Sequence, residues 1–147
     1  MNKLGCVSLA FAVLSFSGAA RADMEANKKT VIAFYNAAIN DKDFDKASQY
    51  LGPRYTQHNP VAPDGPAGLK GFITFLKDKF PNAKSEFKRV FADGDYVIVH
   101  VHAMREPNTR GFAIIDIFRL DGKGKIVEHW DVVQPVPEKA ANENGMF

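Results

Sequence analysis

A chain of 147 residues is long enough for one domain with a true core and short for two. With 46% hydrophobic and 24% charged residues it has the composition of a globular protein, which excludes a disordered chain. The formal charge is +2 and no basic run stands out, so nucleic acid is not an expected partner.

The first 22 residues read as a secretory signal. Lys3 supplies the positive start, Leu4 to Gly18 is apolar, and Ala20-Arg21-Ala22 is a small-x-small cleavage pattern. The stretch is too short and wrongly flanked for a stable membrane span. Cleavage leaves one domain, 23–147, with no cysteine and a periplasmic or secreted location. Losing Lys3 and Arg21 takes the basic residues from 19 to 17, level with the 17 acidic ones.

Asp23 to Asn40 is expected to be a helix, with Val31, Phe34, Tyr35, Ala38 and Ile39 on one stripe. Asp43 is placed to cap a short second helix, Phe44 to Leu51, which Gly52-Pro53 would end. Arg54 to Pro60 reads as a brief extended piece, followed by a Pro/Gly-rich loop. A third helix, Ala67 to Phe80, has Leu69, Phe72, Ile73 and Leu76 inward.

From Lys84 the period changes to two. Lys84 to Ala92 and Asp95 to Arg105 read as strands joined at Asp93-Gly94. Val97, Val99 and Val101 share one face; Tyr96, Ile98, His100, His102 and Met104 share the other. Gly111 to Pro135 reads as a second hairpin around Asp121-Gly122-Lys123-Gly124. If Leu120 pairs with Lys125, Asp116 lies opposite His129. One face then carries Phe112, Ile114, Asp116, Phe118, Val127, His129, Asp131 and Val133. The other carries Ile115, Ile117, Arg119, Ile126, Glu128, Trp130 and Val132, with Arg119 and Glu128 as an ion pair toward water. Three helices followed by a four-strand antiparallel meander is an α+β layout, with a pocket where sheet and helices meet.

Carboxylates among apolar residues suit proton transfer, because desolvation raises a carboxyl pKa toward neutrality. Asp131 is the expected acid/base, with Asp116 and His129 beside it and His102 or His129 polarising a carbonyl. His58, His100, Tyr35, Phe112, Ile114 and Trp130 are the candidate substrate contacts. His100 and His102 could join His129 and Asp131 around zinc, but no tight ligand motif is present and no metal is expected. A pocket plugged by Phe87, Phe91 and Phe112 would instead mark an interaction module.

Several stretches resemble the SnoaL-like polyketide cyclase group of the nuclear transport factor 2-like superfamily. They are Phe34-Tyr35-Asn36, Tyr55-Thr56-Gln57-His58-Asn59-Pro60, Phe91-Ala92-Asp93-Gly94-Asp95, Asp116-Ile117-Phe118-Arg119-Leu120 and Glu128-His129-Trp130-Asp131-Val132. The resemblance covers nearly all of 23–147 in the same element order. It implies a cone-shaped α+β barrel of three N-terminal helices against a curved antiparallel sheet, often a homodimer packed through the sheet, with no cofactor. It implies ring closure by intramolecular aldol condensation, with Asp131 matching the family's acidic residue. Such cyclases are cytosolic and this chain carries an export pattern, so the expected substrate is a small hydrophobic carbonyl compound. The alternative expectation is a non-catalytic periplasmic binding protein with the same pocket.

Overall fold

A computed structural model describes residues 17–147. The expected leader lies outside the described residues up to residue 16, and helix α1, Ser17–Tyr35, begins within its last six residues. α1 buries Val31, Phe34 and Tyr35, the stripe its spacing predicts. It runs on as a π-helical turn, Asn36–Asn40, closed by Asp41 N–H donating to the Asn36 carbonyl at 2.8 Å. The Asn40 side chain then acts like a strand residue. Its Oδ1 accepts from Ser85 N–H at 2.7 Å and its Nδ2 donates to the Ser85 carbonyl at 3.1 Å, which ties the helix end to the sheet.

Helix α2, Phe44–Ser48, is capped by Asp43, whose carboxylate accepts from Lys46 N–H at 2.9 Å. It is shorter than its sequence suggests. Gly52-Pro53 does not end a helix but lies inside strand β1, Leu51–Gln57. Helix α3 is Gly65–Lys79, and strands β2 Lys84–Asp93, β3 Tyr96–Met104, β4 Phe112–Leu120 and β5 Ile126–Pro135 follow.

The sheet therefore has five strands, in the order β1-β5-β4-β3-β2. β1 runs parallel to β5 and the other neighbours are antiparallel, so the expected four-strand meander is completed by a fifth strand from the helical half. The curved sheet packs its inner face on the helices. Val97, Val99 and Val101 are fully buried there. At about 1.5–3 kcal/mol per buried aliphatic side chain, they anchor β3 by that face.

The β4–β5 register differs from expectation. Asp116 pairs with Asp131, and His129 with Phe118. The turn pairs Leu120 with Ile126 instead of Lys125, and Val127 bulges out before Arg119 meets Glu128. Each change adds one residue, and together they restore the parity of every residue beyond the bulge. Asp116, His129 and Asp131 therefore share the inner face as the pattern predicts, while Ile126 moves from the expected outer face into the core.

α3 is held close to its own entry loop. A Cβ built on Gly68 would fall 2.0 Å from the Pro63 carbonyl oxygen. Gly68→Ala should therefore destabilise the fold by about 1–3 kcal/mol, by overpacking. A free helix position would gain about 1 kcal/mol from the same change, so the sign of the shift in a thermal melt checks the contact. Among the described residues, no helix is long and apolar enough to cross a membrane.

Candidate active site

β4 and β5 bring Asp116 and Asp131 side by side on the inner face, with His129 one step deeper. Asp116 and His129 are buried, and Asp131 is half-buried. His129 Nε2 lies 3.0 Å from Asp116 Oδ1. On its other side, His129 Nδ1 lies 2.9 Å from Gln57 Oε1.

The hydrogen bonds fix where protons sit. Gln57 Oε1 also accepts from Asn59 N–H at 3.0 Å, so that atom is the amide oxygen. His129 Nδ1 must then be the donor to it. A neutral imidazole protonated at Nδ1 leaves Nε2 as an acceptor facing a carboxylate oxygen, and two acceptors cannot bond. The Asp116–His129 pair consequently holds one extra proton. Asp116 Oδ2 is buried with no protein hydrogen-bond partner. An unpartnered buried oxygen costs less on a neutral acid than on a carboxylate, so the proton belongs on Asp116. Burial pushes the Asp116 pKa up, the His129 hydrogen bond and the Tyr35 hydroxyl oppose this, and the nearby Asp131 charge adds to the rise.

Asp131 is held differently. Asn59 Oδ1 accepts from Val61 N–H at 2.9 Å, which turns the Asn59 amide nitrogen toward β5. That nitrogen lies 2.7 Å and 2.8 Å from the two oxygens of Asp131. Tyr55 and Tyr35 are buried beside the trio. Burial raises both phenol pKa values, and the nearby Asp131 charge adds to the rise, so both remain O–H donors. The Tyr55 ring lies over His129 at 6.4 Å, and Phe118 stacks on the same imidazole at 4.7 Å.

Gln57, Asn59 and Tyr55 complete the site, and none was among the expected site residues. Their spacing of i, i+2, i+4 on an extended segment places them on one face, and that was the available signal. Tyr35 lies beside the Asp116 carboxyl. Ile114 is buried and Phe112 half-buried on the same face, toward the start of β4.

Four expected site residues lie elsewhere. His100 and His102 are on the outer face, because the three valines take the inner one. His100 Nδ1 meets Arg89 Nη1 at 3.1 Å, and His102 Nε2 donates to the Arg110 carbonyl at 2.9 Å. The Phe147 ring covers both, at 5.5 Å and 4.4 Å. His102 therefore does not share a pocket with Asp131, and the zinc set of His100, His102, His129 and Asp131 is not formed. His58 also points outward, with Nε2 2.8 Å from Glu128 Oε1 and its ring stacked on Trp130 at 4.5 Å. Trp130 belongs to that outer stack, beside Tyr96 at 6.3 Å. Of the three phenylalanines expected to plug a pocket, Phe87 packs edge-on against Tyr35 at 5.2 Å. Phe91 is exposed.

Asp116, His129 and Asp131 each offer a donor atom within 4.8 Å of the others, and among the described residues they form the set that could hold a metal ion. The arrangement described instead has a proton between Asp116 and His129, and an amide across both oxygens of Asp131.

The sequence matches the description of a SnoaL-like domain over residues 31–129. No curated protein matches the chain. Solved structures share the fold at low identity. A proposed polyketide cyclase of Bacillus cereus is 23% identical, with a TM-score of 0.63 over 74% of this chain and 74% of that one. A nuclear transport factor 2-like protein of unknown function from Cytophaga hutchinsonii is 19% identical, with a TM-score of 0.61 over 74% and 90%. An LEH-like epoxide hydrolase of M. tuberculosis is 20% identical, with a TM-score of 0.62 over 76% and 85%. With the domain matched over most of the chain and the helix-on-sheet fold in common, the chain belongs to the SnoaL-like family of the nuclear transport factor 2-like superfamily.

Proposed function

We propose that the protein is an acid/base enzyme acting on a small carbonyl compound, without a covalent intermediate. One observation carries the reading: two carboxyl groups are cross-strand partners in opposite chemical situations. Asp116 is buried, proton-bearing and unpartnered at Oδ2, whereas Asp131 is half-open to solvent and oriented by Asn59. Paired carboxyls in contrasting environments are suited to separate acid and base roles. Asp131 takes a proton from the carbon next to a carbonyl and leaves an enolate. The Asp116–His129 pair beneath supplies a proton to the oxygen that becomes negative. In an aldol closure the enolate carbon bonds to a second carbonyl carbon, whose oxygen takes the proton.

Membership of a family that includes polyketide cyclases supports this reading, as does the naming of fold neighbours as a cyclase and an epoxide hydrolase. The reading includes export after the pattern at Ala20-Arg21-Ala22. It also includes pairing of two copies through the outer sheet face, where Ile115, Val132 and Tyr96 are exposed.

The test is hydrogen exchange. A panel of open-chain and cyclic ketones incubated with the protein in D₂O should gain deuterium next to the carbonyl, read by mass spectrometry. No exchange above buffer for any ketone would falsify the assignment. An apolar molecule released on denaturation, with no exchange, would turn the site into a binding pocket.

A further inference from the structure

β3 sends its odd-numbered residues inward, with Val97, Val99, Val101 and Ala103 all buried. The same parity carries past the strand end to Arg105. Its guanidinium carbon stands 5.2 Å over the ring of Phe112, which pairs with Ala103 across the sheet. From Phe112 the same face runs through Ile114 to Asp116. Arg105 is half-buried, and among the described residues it makes no ion pair or hydrogen bond. The ring below it offers a cation–π contact, which is weaker than a paired carboxylate. Beside it opens a groove of about 440 Å³, lined by Arg105 with Lys79, Phe80, Asn82 and Glu106 among others.

We propose that Arg105 is the carboxylate-binding end of the site, so that the substrate is a small oxo acid. Its carboxylate sits on the guanidinium at the groove, and its carbonyl lies inward at Asp131 and Asp116. The proposal rests on the acid/base reading above and names its substrate class. A guanidinium presents two parallel N–H donors matched to a carboxylate, and Lys79 adds a second positive charge at the same groove. The Asp131 carboxylate at the inner end repels a second carboxylate, so only one orientation is favoured. Phe112 and Asp116 are four residues apart on one strand, about 13 Å at the usual rise. With the Arg105 side chain leaning over Phe112 and back along the strand, a chain of roughly 8 Å between carboxylate and carbonyl carbons fits. Phe112 and Ile114 are the apolar residues of the β4 face between Arg105 and Asp116.

The probe pair is 7-oxooctanoate and its methyl ester, which differ in the charge alone at the groove end. Exchange next to the ketone is followed in D₂O for the wild type, Arg105→Gln and Arg105→Lys. The wild type should exchange the acid more efficiently than the ester. Arg105→Gln should lower kcat/KM for the acid through KM by at least about tenfold more than for the ester, since only the acid loses a charged hydrogen bond. Arg105→Lys should recover part of that preference. Equal losses for acid and ester would overturn the proposal. If neither probe exchanges in the wild type, calorimetry separates the two readings. Binding of 7-oxooctanoate that Arg105→Gln weakens tenfold would uphold the subsite and reject the catalysis, and no binding would reject both.

Discussion

Asp116→Asn should lower turnover by about a hundredfold or more and at the same time raise the melting temperature at neutral pH. The activity loss follows from removing the proton held between Asp116 and His129, since general acid–base help is worth about 10²–10⁴ in rate. The stability gain follows from the sign of the Asp116 shift. Burial raises its pKa in the folded chain above the unfolded value of about 3.9. Below that unfolded value the carboxyl is protonated in both states, and its contribution is fully present. As pH rises, the unfolded chain releases a proton that the folded chain keeps, and stability falls until pH passes the folded value. Asn cannot titrate, and its amide can still donate to His129 Nε2. The variant and the wild type should therefore melt together near pH 3.5, with the variant ahead by a few degrees at pH 7. For a domain of this size about 1 kcal/mol moves Tm by roughly 4 °C. A variant that melts lower at pH 7, with a gap independent of pH, would mean that Asp116 is an ionised partner of an imidazolium. Asp131→Asn should lose a comparable fraction of turnover, because it removes the carboxylate that takes the proton. The two variants separate a catalytic carboxyl from a merely buried one.

The trio was legible because strand parity tolerates even errors. The expected pairing of Asp116 with His129 was off by two residues, from a longer turn and one bulge, yet both histidine and aspartates stayed on the inner face. Had only one of those irregularities been present, Asp131 would face solvent. β1 was not legible, because its partner β5 lies some 70 residues away and Gly52-Pro53 imitates a helix end. For the same reason Gln57 and Asn59 carried no visible role. Each reaches the site through a partner 72 residues along the chain. The histidines of β3 teach a different lesson. Bringing His102 to Asp131 required the His face of β3 to turn inward, whereas the opposite face offered three valines. Burying three valines outweighs burying imidazoles whose hydrogen bonds are met by Arg89 and by the Arg110 carbonyl outside. The hydrophobic count on the two faces was the evidence to follow.

Phe118→Ala should be the most destabilising single change at the site, by about 3–5 kcal/mol. Phe118 is 2% exposed. Its ring meets Phe34 edge-on at 5.7 Å and Tyr35 at 6.5 Å, and it stacks on His129 at 4.7 Å. One side chain thus joins α1 to the sheet and fixes the plane of the imidazole that carries the proton relay. Against a total stability of about 5–15 kcal/mol for such a domain, the loss is a large fraction. The urea midpoint should fall sharply with little change in slope. Phe91→Ala, at a ring 56% exposed, should stay within about 0.5 kcal/mol of the wild type. Phe118→Leu keeps most of the volume and should leave a folded protein in which His129 has lost its stacking partner. If that variant exchanges α-protons at the wild-type rate, the imidazole is held by Gln57 and Asp116 alone. If exchange drops while the fold persists, the core and the catalytic relay are one structure: the aromatic packing that stabilises the cone also aims the proton.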